Sequence, residues 1–214
     1  MKIVSALQYA FVGVLLLAGC SILPQQSSPP ALHDFGPPAN TAPNSTQAKG
    51  LVDEAVTSAA WLTDTAIYYR LLYDDPTRLR AYADNRWIAP PAELLQTRLQ
   101  MVFNHAGANT EPPSGTARYR LHLELLDFEQ VFDTPQSAHV SVHVEARLQD
   151  LVSGVTIAQH SFVITLATSP YVQGAVQGYA RVTDQLLRQV VQWTAEELTG
   201  EARDPVQPRN TSGP

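Results

Sequence analysis

The side chains that could do chemistry are few. Cys20 is the only thiol in the 214 residues, so no intramolecular disulfide and no multi-cysteine zinc site can form. His139 and His143 are four apart, a chelating interval on a helix. On a strand they stand about four rises of 3.3 Å from each other, too far for one ion. His122 and His143 fall on the polar faces of neighbouring predicted strands and could meet across the sheet; solvated surface histidines explain the same pattern. His33 and His105 have no companion ligands, and His160 lies near a strand irregularity. Gly-x-Ser-x-Gly, a Cys/His pair and Ser-x-x-Lys are all absent, and only Lys49 remains beyond Lys2. Asp74-Asp75 reads as turn chemistry, although sequence alone does not exclude a glycosidase-type carboxylate pair. No Gly-rich loop could cradle a phosphate. The expectation is a non-enzyme with no catalytic residues and no metal.

One cluster mixes guanidinium groups with rings: Arg78, Arg80 and Tyr82, then Arg86 and Trp87. Base stacking would use such residues. But 14 Lys+Arg stand against 20 Asp+Glu, a formal net charge of −6, which opposes tracking of a phosphate backbone. A protein partner fits better, because Arg, Tyr and Trp are the usual interface anchors. Arg78, Tyr82, Arg86 and Trp87 are therefore the candidate partner-binding residues. The competing reading is that Tyr82 and Trp87 only pin the loop before a helix onto the core.

Cys20 itself ends an apolar run, dense over 10–18, that follows Met1-Lys2. A basic residue, an apolar stretch and small residues before a cut describe a secretory signal, and the stretch is short for a membrane span. Leu17-Ala18-Gly19-Cys20 resembles the bacterial lipobox. That resemblance implies cleavage before Cys20, a diacylglycerol on its thiol and an acyl chain, such as palmitate, on its new amine. Two or three chains hold a protein durably where one does so marginally. Ser21 rather than Asp after the cysteine implies, by resemblance to the sorting rule of enteric bacteria, the outer membrane, facing the periplasm. No cofactor is expected beyond this covalent lipid on Cys20.

The elements that must carry these residues follow from periodicity. Residues 1–19 are the signal and 20–50 an acylated, Pro-rich tether, with a possible short strand at 31–35. A domain spans 51–199, and 200–214 reads as a disordered tail. Within the domain, 51–58 is a weak strand and 66–73 a stronger one, ended by Asp74-Asp75-Pro76. Pro90-Pro91 opens a helix along Leu94, Leu95, Leu99, Val102 and Phe103, which Gly107 ends. Three alternating strands follow. The first slips phase after Leu125, at Leu126 and Phe128, which suggests a bulge; the second runs along 140–148; the third carries Phe162, Ile164 and Leu166. The last helix, 172–198, has one apolar stripe including Ala175, Tyr179, Val182, Leu186 and Trp193. Gly174 and Gly178 within it cost helix propensity, and close approach to the sheet would explain both. The sum is an α+β two-layer sandwich: an antiparallel sheet with two helices packed on one face.

Several stretches together resemble the ABC-type transport auxiliary lipoproteins, of which the PqiC-type proteins are members. They are Trp61-Leu62 with Ile67-Tyr68-Tyr69-Arg70, then Arg78-Leu79-Arg80-Ala81-Tyr82, Asn85-Arg86-Trp87 and Pro90-Pro91 ahead of Leu94-Leu95. Tyr119-Arg120-Leu121, Phe128 and Gln177-Gly178-Tyr179-Ala180 leading to Trp193 complete the set. The resemblance implies a non-catalytic auxiliary component of a system moving lipids across the periplasm. The partner it implies is the mammalian-cell-entry (MCE) protein of an ABC transporter, with homo-oligomers among related members. Two other classes stay open: a carrier holding a lipid between sheet and helices, and a structural envelope-integrity or assembly lipoprotein.

Overall fold

The computed structural model describes residues 28–38, 52–105 and 118–201. The signal, Cys20, most of the tether, Gly107 and nearly all of the tail lie outside the described residues. In chain order the elements are β1 (Ala31–His33), β2 (Val52–Ser58), a 3-10 turn (Ala60–Leu62), β3 (Ala66–Leu71) and β4 (Asp75–Trp87). After them come α1 (Pro91–His105), β5 (Tyr119–Thr134), β6 (Ser137–Asp150), β7 (Thr156–Thr168) and α2 (Val172–Glu201).

The seven strands form one sheet in the order β1-β4-β3-β5-β6-β7, with β2 also on β5. The expected architecture holds: two layers, with α1 and α2 on one face. The meander β5-β6-β7 is antiparallel, as its alternation and tight turns require. The sheet as a whole is mixed, because β1 runs parallel to β4 and both β2 and β3 run parallel to β5. The parallel β3–β5 pair arises because the chain turns back at β4 and then crosses over through α1 before β5 begins.

β2 and β3 share one side of β5. β2 pairs with Tyr119 to Leu125, and β3 with Glu129 to Phe132. Between them the chain steps out through the 3-10 turn, and the Ala59 N–H still donates to the Leu125 carbonyl at 2.9 Å. The interruption coincides with the expected bulge: Leu125 faces Val144 while Asp127 faces His143, so Leu126 is the extra residue. This shift returns Phe128 to the helix-facing side.

Residues 75–87 depart from the expected turn and loop. They form the thirteen-residue strand β4. Its pairing with β3 is irregular: Ala66 faces Arg86 and Tyr68 faces Ala81, so five steps of β4 span two of β3. That irregularity erases a period-two pattern and places Trp87 inside, with 1% of its surface exposed.

The core fills the space between helices and sheet. Leu121, Leu123 and Leu125 of β5 and Val140, Val142 and Val144 of β6 are buried beneath Tyr179, Leu186 and Val190 of α2. Gly174 and Gly178 seat the start of that helix. A Cβ at Gly174 would lie 2.3 Å from the Ser169 carbonyl oxygen, and one at Gly178 2.6 Å from Thr168 Cγ2. The expected close approach to the sheet is present at Gly178, whereas Gly174 approaches Ser169 in the loop just after β7.

Candidate interaction site

The four candidate residues lie along β4 and differ sharply in access. Arg78 is exposed. Tyr82 is half-buried and its hydroxyl donates to Gln130 Oε1 at 2.6 Å. Gln130 is fully buried and in turn donates to Thr168 Oγ1 at 2.9 Å and the Ser169 carbonyl at 3.0 Å. Burial, with Tyr69 beside it, pushes the Tyr82 phenol well above its ordinary range. Arg86 donates to the carbonyls of Tyr82 and Asn85, bracing the irregular stretch of strand. Trp87 meets Tyr179 edge-on at 5.5 Å and Phe35 at 5.4 Å, so its ring belongs to the core. Arg78 is the member of this set that solvent reaches freely. Around it runs an open backbone edge: β1 covers only Asn85 to Trp87, and among the described residues no strand pairs with the outer side of 75–84.

The segment ahead of β4's partner strand contributes residues that sequence reading missed. Phe35 follows β1 and is inserted among Trp87 and Phe128, where Phe128 in turn stacks on Tyr179 at 4.1 Å. Arg98 of α1 holds the segment from the other side. Its Nη2 donates to the Phe35 carbonyl at 2.8 Å and to the Gly36 carbonyl, while Nη1 lies 3.8 Å from Asp184 of α2. The signal was legible: Arg98 falls inside the apolar stripe of α1, beside Leu95, Leu99 and Val102, where an arginine needs buried acceptors. Gly36 makes the turn that exposes these carbonyls, at φ 65. Two shallow grooves flank the segment. One, of about 410 Å³, runs between Leu32, Ile88 and Val176; the other, of about 440 Å³, lies over Leu94, Met101 and Pro38.

The helix-free face carries His122, His139 and His143 with Asp127 and Glu129, whereas His160 packs against Phe162 and against Trp193 of α2. His122 faces Arg147 and His143 faces Asp127, so the two histidines do not meet. His122 bonds with Thr57 at 2.9 Å, and His143 with Ser161 at 2.9 Å. No group of three or more potential metal ligands occurs among the described residues. Asp74 pairs with Arg80, while Asp75 accepts from the Thr77 N–H, in keeping with turn chemistry. Glu129 is buried and accepts from Arg70 Nε at 2.8 Å. Asp127 is held above the ordinary carboxylate range by burial and then by the Glu129 charge, against the pull of its bond from Ser141. These contacts are those of a structural ion-pair row.

Fold and site together can be compared with known proteins. The family model described as the ABC-type transport auxiliary lipoprotein component matches residues 32–191. The chain belongs to this family. The match runs from β1 into α2 and therefore includes both the Phe35 segment and the β4 edge. A solved structure with the same fold is protein XCC0632 from Xanthomonas campestris. It is 17% identical, covering 82% of this chain and 96% of that one, at a TM-score of 0.65. Another, described only as an uncharacterized protein, is 15% identical over 80% of this chain and 99% of that one, at a TM-score of 0.56. No curated protein matches. Among the described residues, no helix of this auxiliary lipoprotein is long and apolar enough to cross a membrane.

Proposed function

We propose that this auxiliary lipoprotein is a non-catalytic docking subunit, held in the outer membrane by lipid on Cys20 and facing the periplasm. Its partner is the MCE-domain protein of an ABC system that moves lipids between membranes. The family match over residues 32–191 carries the reading. The lipobox-like Leu17-Ala18-Gly19-Cys20 supports the anchor, and Ser21 the choice of membrane. The docking surface is the outer edge of β4 around Arg78, which no described strand pairs and which an added strand would extend.

The side chains between helices and sheet favour docking over lipid carriage. Phe35, Trp87, Phe128 and Tyr179 fill the space where an enclosed acyl chain would lie. The test is affinity capture of the full-length lipoprotein from native membranes. The docking reading expects the MCE protein in the captured material and its depletion with Arg78→Asp. Capture of envelope-assembly machinery without an MCE protein would replace it with the structural reading, and extractable lipid in the domain with the carrier reading.

A further inference from the structure

One end of the sheet carries exposed apolar and aromatic side chains on two of its loops, on either side of the exposed polar β5–β6 turn at 133–137. The β3–β4 turn there exposes Leu72 at 43% and Tyr73 at 48%, and the loop entering α2 exposes Tyr171 at 55%. Register places these loops at the same end, with the β5–β6 turn between them. Leu71 faces Phe132, Phe132 faces Ala138, and Ala138 faces Thr168. The three strand spacings put the two loops about 14 Å apart.

The direction of β1 says what this end faces. β1 is parallel to β4, with Ala31 beside Asn85 and His33 beside Trp87, so it runs away from the β3–β4 turn. The chain before Ala31 therefore enters from the side of that turn. Cys20 stands eleven residues before Ala31, a span of at most about 36–40 Å. The turn lies only five β3 residues beyond the level of Arg86, about 17 Å. The tether reaches this end directly, whereas the opposite end, where Val152 and Val155 are exposed, requires it to double back.

The chemistry of the rim fits a lipid surface. Tyrosine is enriched where a ring sits in the headgroup layer, apolar body inward and hydroxyl to water. The carboxylates nearby are partnered: Asp74 with Arg80, Asp133 by a hydrogen bond with His139, and Asp75 by the charge of Arg78. α2 also starts at this end with no acidic residue in its first turn, so its positive dipole end faces the same way.

We propose that the Leu72, Tyr73 and Tyr171 rim rests in the headgroup layer of the bilayer that holds the acyl chains, fixing the orientation of the domain. This rests on lipidation of Cys20 as read above. It turns the β4 edge sideways, along the membrane plane, and points the β6–β7 turn away from the membrane.

The experiment places tryptophan at Tyr73, Tyr171 or Val152 of the full-length lipoprotein, reconstituted into phosphatidylethanolamine–phosphatidylglycerol vesicles. Quenching by brominated acyl chains is read after subtracting the emission of the native tryptophans. The expected result is quenched, blue-shifted emission from Tyr73→Trp and Tyr171→Trp and unquenched emission from Val152→Trp. Vesicle flotation is measured on the same samples. Flotation with no quenching at either tyrosine position, or with quenching only at Val152→Trp, overturns the orientation and leaves the anchor standing. Failure to float, with no acyl mass on Cys20, overturns the anchor and the orientation together.

Discussion

A Cβ built on Gly178 would sit 3.1 Å from Cγ2 of Val140, so the first turns of α2 rest directly on β6. In open helix interiors alanine is favoured over glycine by about 1 kcal/mol. Here the sign reverses. Gly174→Ala meets the Ser169 backbone, which has no rotamer to change, and should lower stability by about 1–3 kcal/mol. Gly178→Ala presses on the side chains of Val140 and Thr168 and should cost less. Gly200→Ala has nothing within 4 Å and should be neutral or stabilising. Urea unfolding of the three variants measures the order.

Trp87 and Arg78 share a strand and should separate completely in experiment. Trp87→Ala empties the centre of an aromatic cluster and should cost about 3–5 kcal/mol. Arg78→Ala is expected to shift stability by no more than about 0.5 kcal/mol while weakening partner capture. Thermal melts paired with capture yields distinguish the two effects.

Arg98 joins the Phe35 segment to both helices. Arg98→Met removes the donors to the Phe35 and Gly36 carbonyls and should destabilise by about 3 kcal/mol, the range for breaking a buried charged contact. The loss begins locally. Protease cleavage near 34–38 should accelerate before global unfolding does, and Phe35→Ala should reproduce that pattern.

Asp127 gives a pH dependence with a definite sign. Its folded-state pKa is raised, so it opposes folding once ionised: its favourable contribution is full below the ordinary carboxylate range and is lost as pH rises through the raised value. Arg70 and Glu129 act on it with opposite charges. Asp127→Asn keeps an acceptor for Ser141 and removes the titration. The variant should be more stable than wild type at pH 7, and the difference should shrink as pH falls and vanish below the ordinary carboxylate range. Chemical unfolding across that interval checks it.

The meander and both helices were legible because their information is local. Val140, Val142 and Val144 alternate with polar residues, and the slip at Leu126 shows as a break in phase. The stripe of α2 and its two glycines likewise predict a helix pressed on a sheet. β4 was not legible, since its bulged pairing to β3 and the polar run from Asp84 to Arg86 interrupt the alternation that marks a strand. The parallel pairings of β2 and β3 with β5 depend on partners more than fifty residues away, which no local period encodes. The candidate site divides for the same reason. Arg78 and Trp87 look equivalent as interface residue types, but Arg78 lies near the uncovered start of β4 while Trp87 is covered by Phe35, Phe128 and Tyr179. Arg98 was visible as a charge in an apolar stripe, yet its acceptors at Phe35 and Gly36 lie on a segment read as tether.

β5 lies between β6 on one side and both β2 and β3 on the other. Among the described residues, β2 has no other strand partner. During synthesis or transfer that starts from the N-terminus, β2, β3, β4 and α1 therefore emerge before the strand that gives them a seam. Such high-separation contacts form late and leave strand edges bare in the interval. The single shared strand thus sets an order of events: the domain cannot close until residue 134 has appeared, and a chain truncated before Tyr119 should stay unfolded and prone to aggregate.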